Sequence, residues 1–220
     1  MPRHVSNTNL HLHYQSTFEG WSVMDEKGPF IEQYLCRCKR TIELALEQYS
    51  RVFAFRVDLR LPLRLELPAR VYTNVVIREF LESFKAKIEH DRRRARARNR
   101  YAHDSTVRYV WARELGSGGR PHYHLLILLN ADAYFRVGKK TSSGQNIFTR
   151  LQEAWAQALR LRVEAVSGLV DIPIAAEYRI TRQPADEEAL ASLFYRASYL
   201  CKAATKSYGD GLHGFGSSQH

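Results

Sequence analysis

One run of ten residues constrains the fold more than any other: Arg120-Pro121-His122-Tyr123-His124-Leu125-Leu126-Ile127-Leu128-Leu129. Read as a β-strand, its alternation places His122 and His124 on one face and Tyr123 on the other. The two imidazoles then stand about 7 Å apart along the strand, close enough to share one metal ion if a third ligand faces them. The apolar run behind them anchors the strand in a core. The histidines are therefore held on a rigid element, at its polar end.

A third ligand is available upstream. Thr106-Val107-Arg108-Tyr109-Val110-Trp111-Ala112-Arg113-Glu114-Leu115 is rich in β-formers, and Gly116-Ser117-Gly118-Gly119 follows with the composition of a hairpin connection. Folding the two runs into an antiparallel pair brings Glu114 beside the start of the second strand. Glu114, His122 and His124 then make a carboxylate and two imidazoles at the mouth of one hairpin. The chain contains its own control, because His11-Leu12-His13 has the same spacing. That copy lacks the apolar anchor and the Glu-plus-turn partner, so hydrogen-bonded or solvated histidines are expected there.

The 220 residues carry a formal net charge of +10 and a pI near 9.7, an excess that favours a polyanionic partner, nucleic acid before membrane. No apolar run reaches membrane-spanning length and no secretory signal opens the chain, so a soluble, cytoplasmic protein is expected. Cys36, Cys38 and Cys201 are odd in number and form no Cys-x-x-Cys pair, which argues against a disulfide framework or structural zinc. Residues 1–28 are polar and weakly patterned and read as an N-terminal extension, with Leu10, Leu12 and Tyr14 alternating as in a short strand. Residues 29–208 read as the folded domain, and 209–220 as a flexible Gly-rich tail.

Helical spacing predicts helices over Pro29–Tyr49, Asn74–Arg100 and Ile147–Val163. Strands are predicted over Arg51–Leu61 and Leu169–Thr181, the second interrupted by Pro173. Asp58 in the first of these has two readings: a partner of a ligating histidine, or a solvent-facing acid paired with Arg56 or Arg60. The second predicted helix runs out into Arg92, Arg93, Arg94, Arg96, Arg98 and Arg100, a single-sign tract suited to nucleic-acid phosphates. The segment Gly138-Lys139-Lys140-Thr141-Ser142-Ser143-Gly144 lacks the glycine and Gly-Lys-Ser/Thr order of a nucleotide-binding loop, so an ATPase is excluded and a basic surface loop expected.

Asp186 to Lys206 reads as one helix capped by Asp186. Tyr195, Tyr199, Lys202 and Lys206 follow at steps of four, three and four, on one stripe. Leu190, Leu193, Phe194, Ala197, Leu200 and Ala204 form a separate apolar face. Two lysines on the tyrosine stripe argue against its burial, so the phenols are expected to look onto a polar cleft.

His122-Tyr123-His124 among apolar residues resembles the HUH motif of rolling-circle endonucleases, and Tyr195-x-x-x-Tyr199-x-x-Lys202 resembles the two-tyrosine motif of their replication-initiator branch. Trp111-Ala112-Arg113-Glu114-Leu115 and Arg56-Val57-Asp58-Leu59-Arg60-Leu61-Pro62 are similar to segments of the same initiators. The likeness spans roughly Pro29 to Lys206 and is strongest to the small replication proteins of filamentous phages and related prophages, the YagK/YfjJ-like family. Where some initiators carry a lysine just before the second tyrosine, this chain has Ser198, which leaves Lys202 as the phosphate-side lysine.

The resemblance implies an α+β fold: a central antiparallel sheet of about five strands, RRM-like, with helices packed on it. It implies Mg²⁺ or Mn²⁺ at Glu114, His122 and His124, and a tyrosine that cuts single-stranded origin DNA. The products are a 5′-phosphotyrosine link and a 3′-hydroxyl primer, with a second tyrosine for a second cut. Lys206 and the arginine tract would contact the DNA, and a host helicase and polymerase would be partners. The other readings are a transposase or relaxase with the same core, a non-catalytic DNA-binding regulator, and a zinc hydrolase that uses water.

Overall fold

A computed structural model describes residues 2–116, 119–138, 144–183, 186–206 and 208–218. The 139–143 part of the basic loop and residues 117–118 of the hairpin connection lie outside them. In chain order the elements are β1 (Arg3–His4), β2 (Asn7–His13), β3 (Thr17–Phe18), β4 (Trp21–Ser22), β5 (Phe30–Ile31), α1 (Glu32–Gln48), β6 (Arg51–Leu59), α2 (Asn74–Arg98), β7 (Arg108–Leu115) and β8 (Pro121–Asn130). Then follow α3 (Ile147–Leu159), β9 (Val170–Asp171), β10 (Glu177–Thr181), α4 (Glu187–Ser198) and β11 (Phe215–Ser217).

The expected α+β architecture is present, with six strands in the main sheet. Their order is β10-β6-β8-β7-β11, with β9 paired to β6, and the pairings are antiparallel. The histidine strand β8 lies at the centre, which explains its apolar run: Leu125 to Leu129 are buried whichever way they point. Pro121 takes the first position of the strand, where a missing N–H is tolerated.

Strand alternation divides the core into two layers. Phe53, Phe55, Val57 and Leu59 of β6 and Tyr123, Leu125, Ile127 and Leu129 of β8 pack against α2 and α3. Val52, Ala54, Leu126 and Leu128 pack the other way, against α1 and α4. His122, His124, Arg56 and Asp58 share the parity of this second set, so the polar end of the sheet opens on the α1/α4 side. Thr73 caps α2 by accepting from the Val75 N–H, and Asn146 and Thr149 form a reciprocal cap on α3.

Four expected elements differ. The strand expected over Leu169–Thr181 is two, β9 and β10, interrupted at residues 172–176 around Pro173. The first helix starts at Glu32, because Phe30 and Ile31 pair with His13 and Leu12 of β2. Residues 2–28 are folded onto the second layer, where Phe18 and Val23 are buried and Phe18 and Trp21 meet the Phe194 ring. The stretch expected as a flexible tail supplies β11, an edge strand on β7. Its Phe215 is buried with its ring stacked at 4.2 Å on Tyr34. Gly216 is a packing requirement there, since a Cβ would fall 2.5 Å from Trp111 Nε1. Among the described residues, no helix is long and apolar enough to cross a membrane.

Candidate metal centre

The β7–β8 register sets Glu114 opposite His122 and Ala112 opposite His124, so the carboxylate stands directly across from one imidazole and diagonally from the other. Glu114 Oε2 is 3.7 Å from His122 Nε2 and 3.5 Å from His124 Nε2. One ligand atom from each residue can be chosen so that all lie within 4.8 Å of one another. That is close to the span allowed by two bonds of about 2.0–2.2 Å to one ion. Glu114 and His124 are buried and His122 is half-buried. This group can hold a divalent metal, and its mixture of one oxygen and two imidazoles admits several ions.

Asp58 combines parts of both readings: it is buried and not solvent-facing, and it pairs with His124 and with Arg56. Asp58 lies opposite His124 on the neighbouring strand. Its carboxylate accepts from His124 Nδ1 at 2.7 Å and from Arg56 Nη2 at 3.2 Å. Holding the proton on Nδ1 turns the Nε2 lone pair toward Glu114 and His122, as second-sphere carboxylates do for metal-binding histidines. Burial pushes His124 down, but hydrogen bonds to Asp58 and Glu114 outweigh it and raise its pKa. Burial pushes Asp58 up, yet His124 and Arg56 hold it below the ordinary carboxylate range. Glu114 is lowered much further, because His122, His124 and Lys206 overcome the cost of burying its charge.

The tyrosine segment departs from the expected straight helix. α4 ends at Ser198, and a 3-10 turn carries Tyr199 to Cys201. An isolated bridge then joins Phe30 to Lys202, and the Ala203 N–H donates to the Pro29 carbonyl at 2.8 Å. The four residues read as one stripe therefore separate. The Tyr195 hydroxyl donates to the Glu26 carboxylate at 3.3 Å, and its phenol is pushed up by desolvation and by that charge. Tyr199 faces the metal centre: its ring meets the His124 ring edge-on at 5.5 Å. Lys202 Nζ sits 3.8 Å and Arg56 Cζ 5.0 Å from the Tyr199 ring centroid. Its hydroxyl makes no hydrogen bond among the described residues.

The lysines do not keep this segment in solvent, because Glu114 neutralises them. Lys202 Nζ is 3.1 Å from Glu114 Oε2, and Lys206 Nζ is 3.5 Å from Oε1. Lys206, expected on DNA, is buried, and that burial drives its ammonium down to about 8 against the pull of Glu114. Arg56 was legible only as a possible partner of Asp58. In the fold it is 6% exposed, touches Asp58, His124 and Tyr199, and keeps a buried Nε without a hydrogen-bond partner.

The other expected residues lie elsewhere. Arg93, Arg94, Arg96, Arg98 and Arg100 are exposed and Arg92 half-buried, on or just beyond α2, which packs on the opposite face of the sheet. Arg92 is ion-paired with Asp91, Arg93 with Glu89 and Arg96 with Asp104. His13 is hydrogen-bonded to the Thr17 carbonyl at 2.9 Å, in keeping with an ordinary role.

Residues 13–218 match the YagK/YfjJ C-terminal domain family. The uncharacterized protein YfjJ of Escherichia coli (strain K12) is 30% identical over 203 residues, covering 88% of this chain and 97% of YfjJ. The uncharacterized protein YagK of the same strain is 30% identical over 198 residues, covering 87% of this chain and 95% of YagK. Among solved structures, the catalytic domain of the Adeno Associated Virus type 5 Rep protein aligns with a TM-score of 0.30 and 14% identity, covering 67% of this chain and 97% of that domain.

Proposed function

We propose that this chain, which belongs to the YagK/YfjJ C-terminal domain family, is a metal-dependent DNA strand transferase of the HUH type that cuts a single strand through Tyr199. The observation that carries the reading is the position of that ring, 5.5 Å from His124 on the face where Glu114 and both histidines converge. Glu114, His122 and His124 would hold the ion, with Mg²⁺ or Mn²⁺ favoured by the motif resemblance. A bound divalent ion supplies charge neutralisation for an anionic phosphodiester.

The chain's own residues account for the rest. Asp58 fixes the His124 tautomer, and Arg56 donates to the same Asp58 oxygen. The Tyr199 phenol is a weak nucleophile until its charge is stabilised. Lys202 and Arg56 provide positive charge against its ring. Attack of the phenolic oxygen, whose proton passes to solvent, forms an O–P bond and breaks the P–O3′ bond, and O3′ takes a proton from solvent to leave as a 3′-hydroxyl. The 5′-phosphotyrosine conserves the bond energy, so resealing needs no nucleotide hydrolysis. Tyr195, bonded to Glu26, is assigned the later exchange, after that contact opens. Replication initiation in a phage or prophage, with host helicase and polymerase as partners, fits this chemistry.

The test is a labelled single-stranded oligonucleotide library, incubated with protein and Mn²⁺ and run on a denaturing gel. A protein-linked band is expected from wild type and from Tyr195→Phe, and none from Tyr199→Phe. Cleavage without a linked product, or a band that survives Tyr199→Phe and vanishes in Tyr195→Phe, overturns the assignment. One observation favours a second reading, a metal-free DNA-binding protein: Lys202 and Lys206 already balance the Glu114 charge. That reading predicts no heat of Mn²⁺ binding by calorimetry.

A further inference from the structure

A cleft of about 790 Å³ opens between α2 and α3. Its cations are Lys87, Arg92, Arg94 and Arg98 from α2 and Arg150 from α3, against two acids, Asp91 and Glu153. Both acids are consumed internally. Asp91 takes Arg92 at 2.5 Å, Arg150 at 2.6 Å and the Tyr134 hydroxyl at 2.6 Å. Glu153 takes Lys87 at 3.2 Å. These contacts hold Arg92 and Arg150 in fixed rotamers, so little side-chain entropy is left to lose on binding an anion. Arg94 and Arg98 have no acidic partner among the described residues.

The cleft is remote from the metal centre in two senses. It lies on the opposite face of the sheet, as the core layers require. It also lies toward the opposite end. The Thr73 carbonyl before α2 accepts from the Tyr123 hydroxyl, between the two histidines, whereas Asp91 meets Tyr134, beyond the far end of β8. At ~1.5 Å per residue, α2 separates its two ends by roughly 37 Å.

We propose that the α2/α3 cleft binds the phosphodiester backbone of duplex DNA. The inference deepens the nicking proposal, on which its biological sense rests: one layer grips paired DNA while the other meets the strand to be cut. Duplex is favoured over single strand on two grounds. Grooves for single strands combine charge with several stacking platforms, whereas among the described residues lining this cleft there is no Phe, Tyr or Trp and His90 is the one aromatic ring. A stiff helix carrying arginines also matches the regular, dense phosphate rows of a duplex. Contacts of this kind set position and read no sequence.

The experiment is fluorescence anisotropy with a short duplex and a single strand of equal length, in EDTA, so that cleavage plays no part. Arg94→Glu with Arg98→Glu is compared with Arg37→Glu and Arg40→Glu, the same charge change on exposed positions of α1. The first pair is expected to lower duplex affinity on the order of tenfold or more, and to reduce the log-log salt slope by about 1.8. Single-strand affinity, and duplex affinity of the α1 pair, should change by less than about threefold. Unchanged duplex binding overturns the proposal, as does an equal loss for single strand or an equal loss in the α1 pair. Because the readout is metal-free, loss of duplex binding leaves this site standing even where Tyr199 forms no covalent product.

Discussion

At the scale of single residues, the centre is governed by one carboxylate shared among too many cations. Removing it from the metal-free protein strands two buried ammonium groups, so Glu114→Ala should destabilise by about 3–5 kcal/mol in denaturant melts. Asp58→Ala removes the acceptor that orients His124 and should weaken Mn²⁺ binding roughly 10–100-fold by calorimetry. The pH dependence follows from the raised pKa of His124. Its proton must leave before Nε2 can ligate, so metal affinity should rise by about tenfold per pH unit and level off above that pKa. The metal-free protein should show the opposite sign. The ion pair contributes stability fully below the unfolded histidine value of ~6.5 and loses it as pH climbs through the folded value. His122, His124 and Glu114 were legible because strand alternation and one hairpin suffice to bring them together. The Lys206–Glu114 pair was not, because a lysine read on a surface stripe carries no mark of the distant acid that buries it.

At the scale of elements, regular periodicity was a sound guide and short or glycine-rich pieces were not. The helices α1, α2 and α3 announce themselves by apolar residues at three- and four-residue steps. α4 kept that rhythm to Ser198, yet the chain beyond it turns away, because Phe30 offers Lys202 a strand-like backbone partner. No local pattern encodes that choice. β11 was hidden for another reason: Phe215-Gly216-Ser217 is brief, follows Gly214 and contains a second glycine, so it reads as flexible until Trp111 is seen covering Gly216. Phe215 closes the β7 edge and fills the space beside Tyr34. Phe215→Ala should therefore cost about 3–5 kcal/mol, measured by chemical denaturation.

At the scale of the whole molecule, the sheet is a partition: the Glu114, His122 and His124 group opens on one side and the α2/α3 cleft on the other. Saturating metal should stabilise the fold by linkage, about 2.7 kcal/mol at one hundred times its dissociation constant. For a chain of this size that is a rise in Tm of roughly 5–10 °C. Calorimetric scans with Mn²⁺ should show it, EDTA should reverse it, and His124→Ala should abolish it. One tie crosses the molecule end to end: the backbone of Pro29 and Phe30 clasps that of Lys202 and Ala203. The front of the polypeptide thereby sets the reach of an amine near its back. Lengthening or trimming the residues ahead of Pro29 would retune the neighbourhood of the phenol without a single edit to the hairpin.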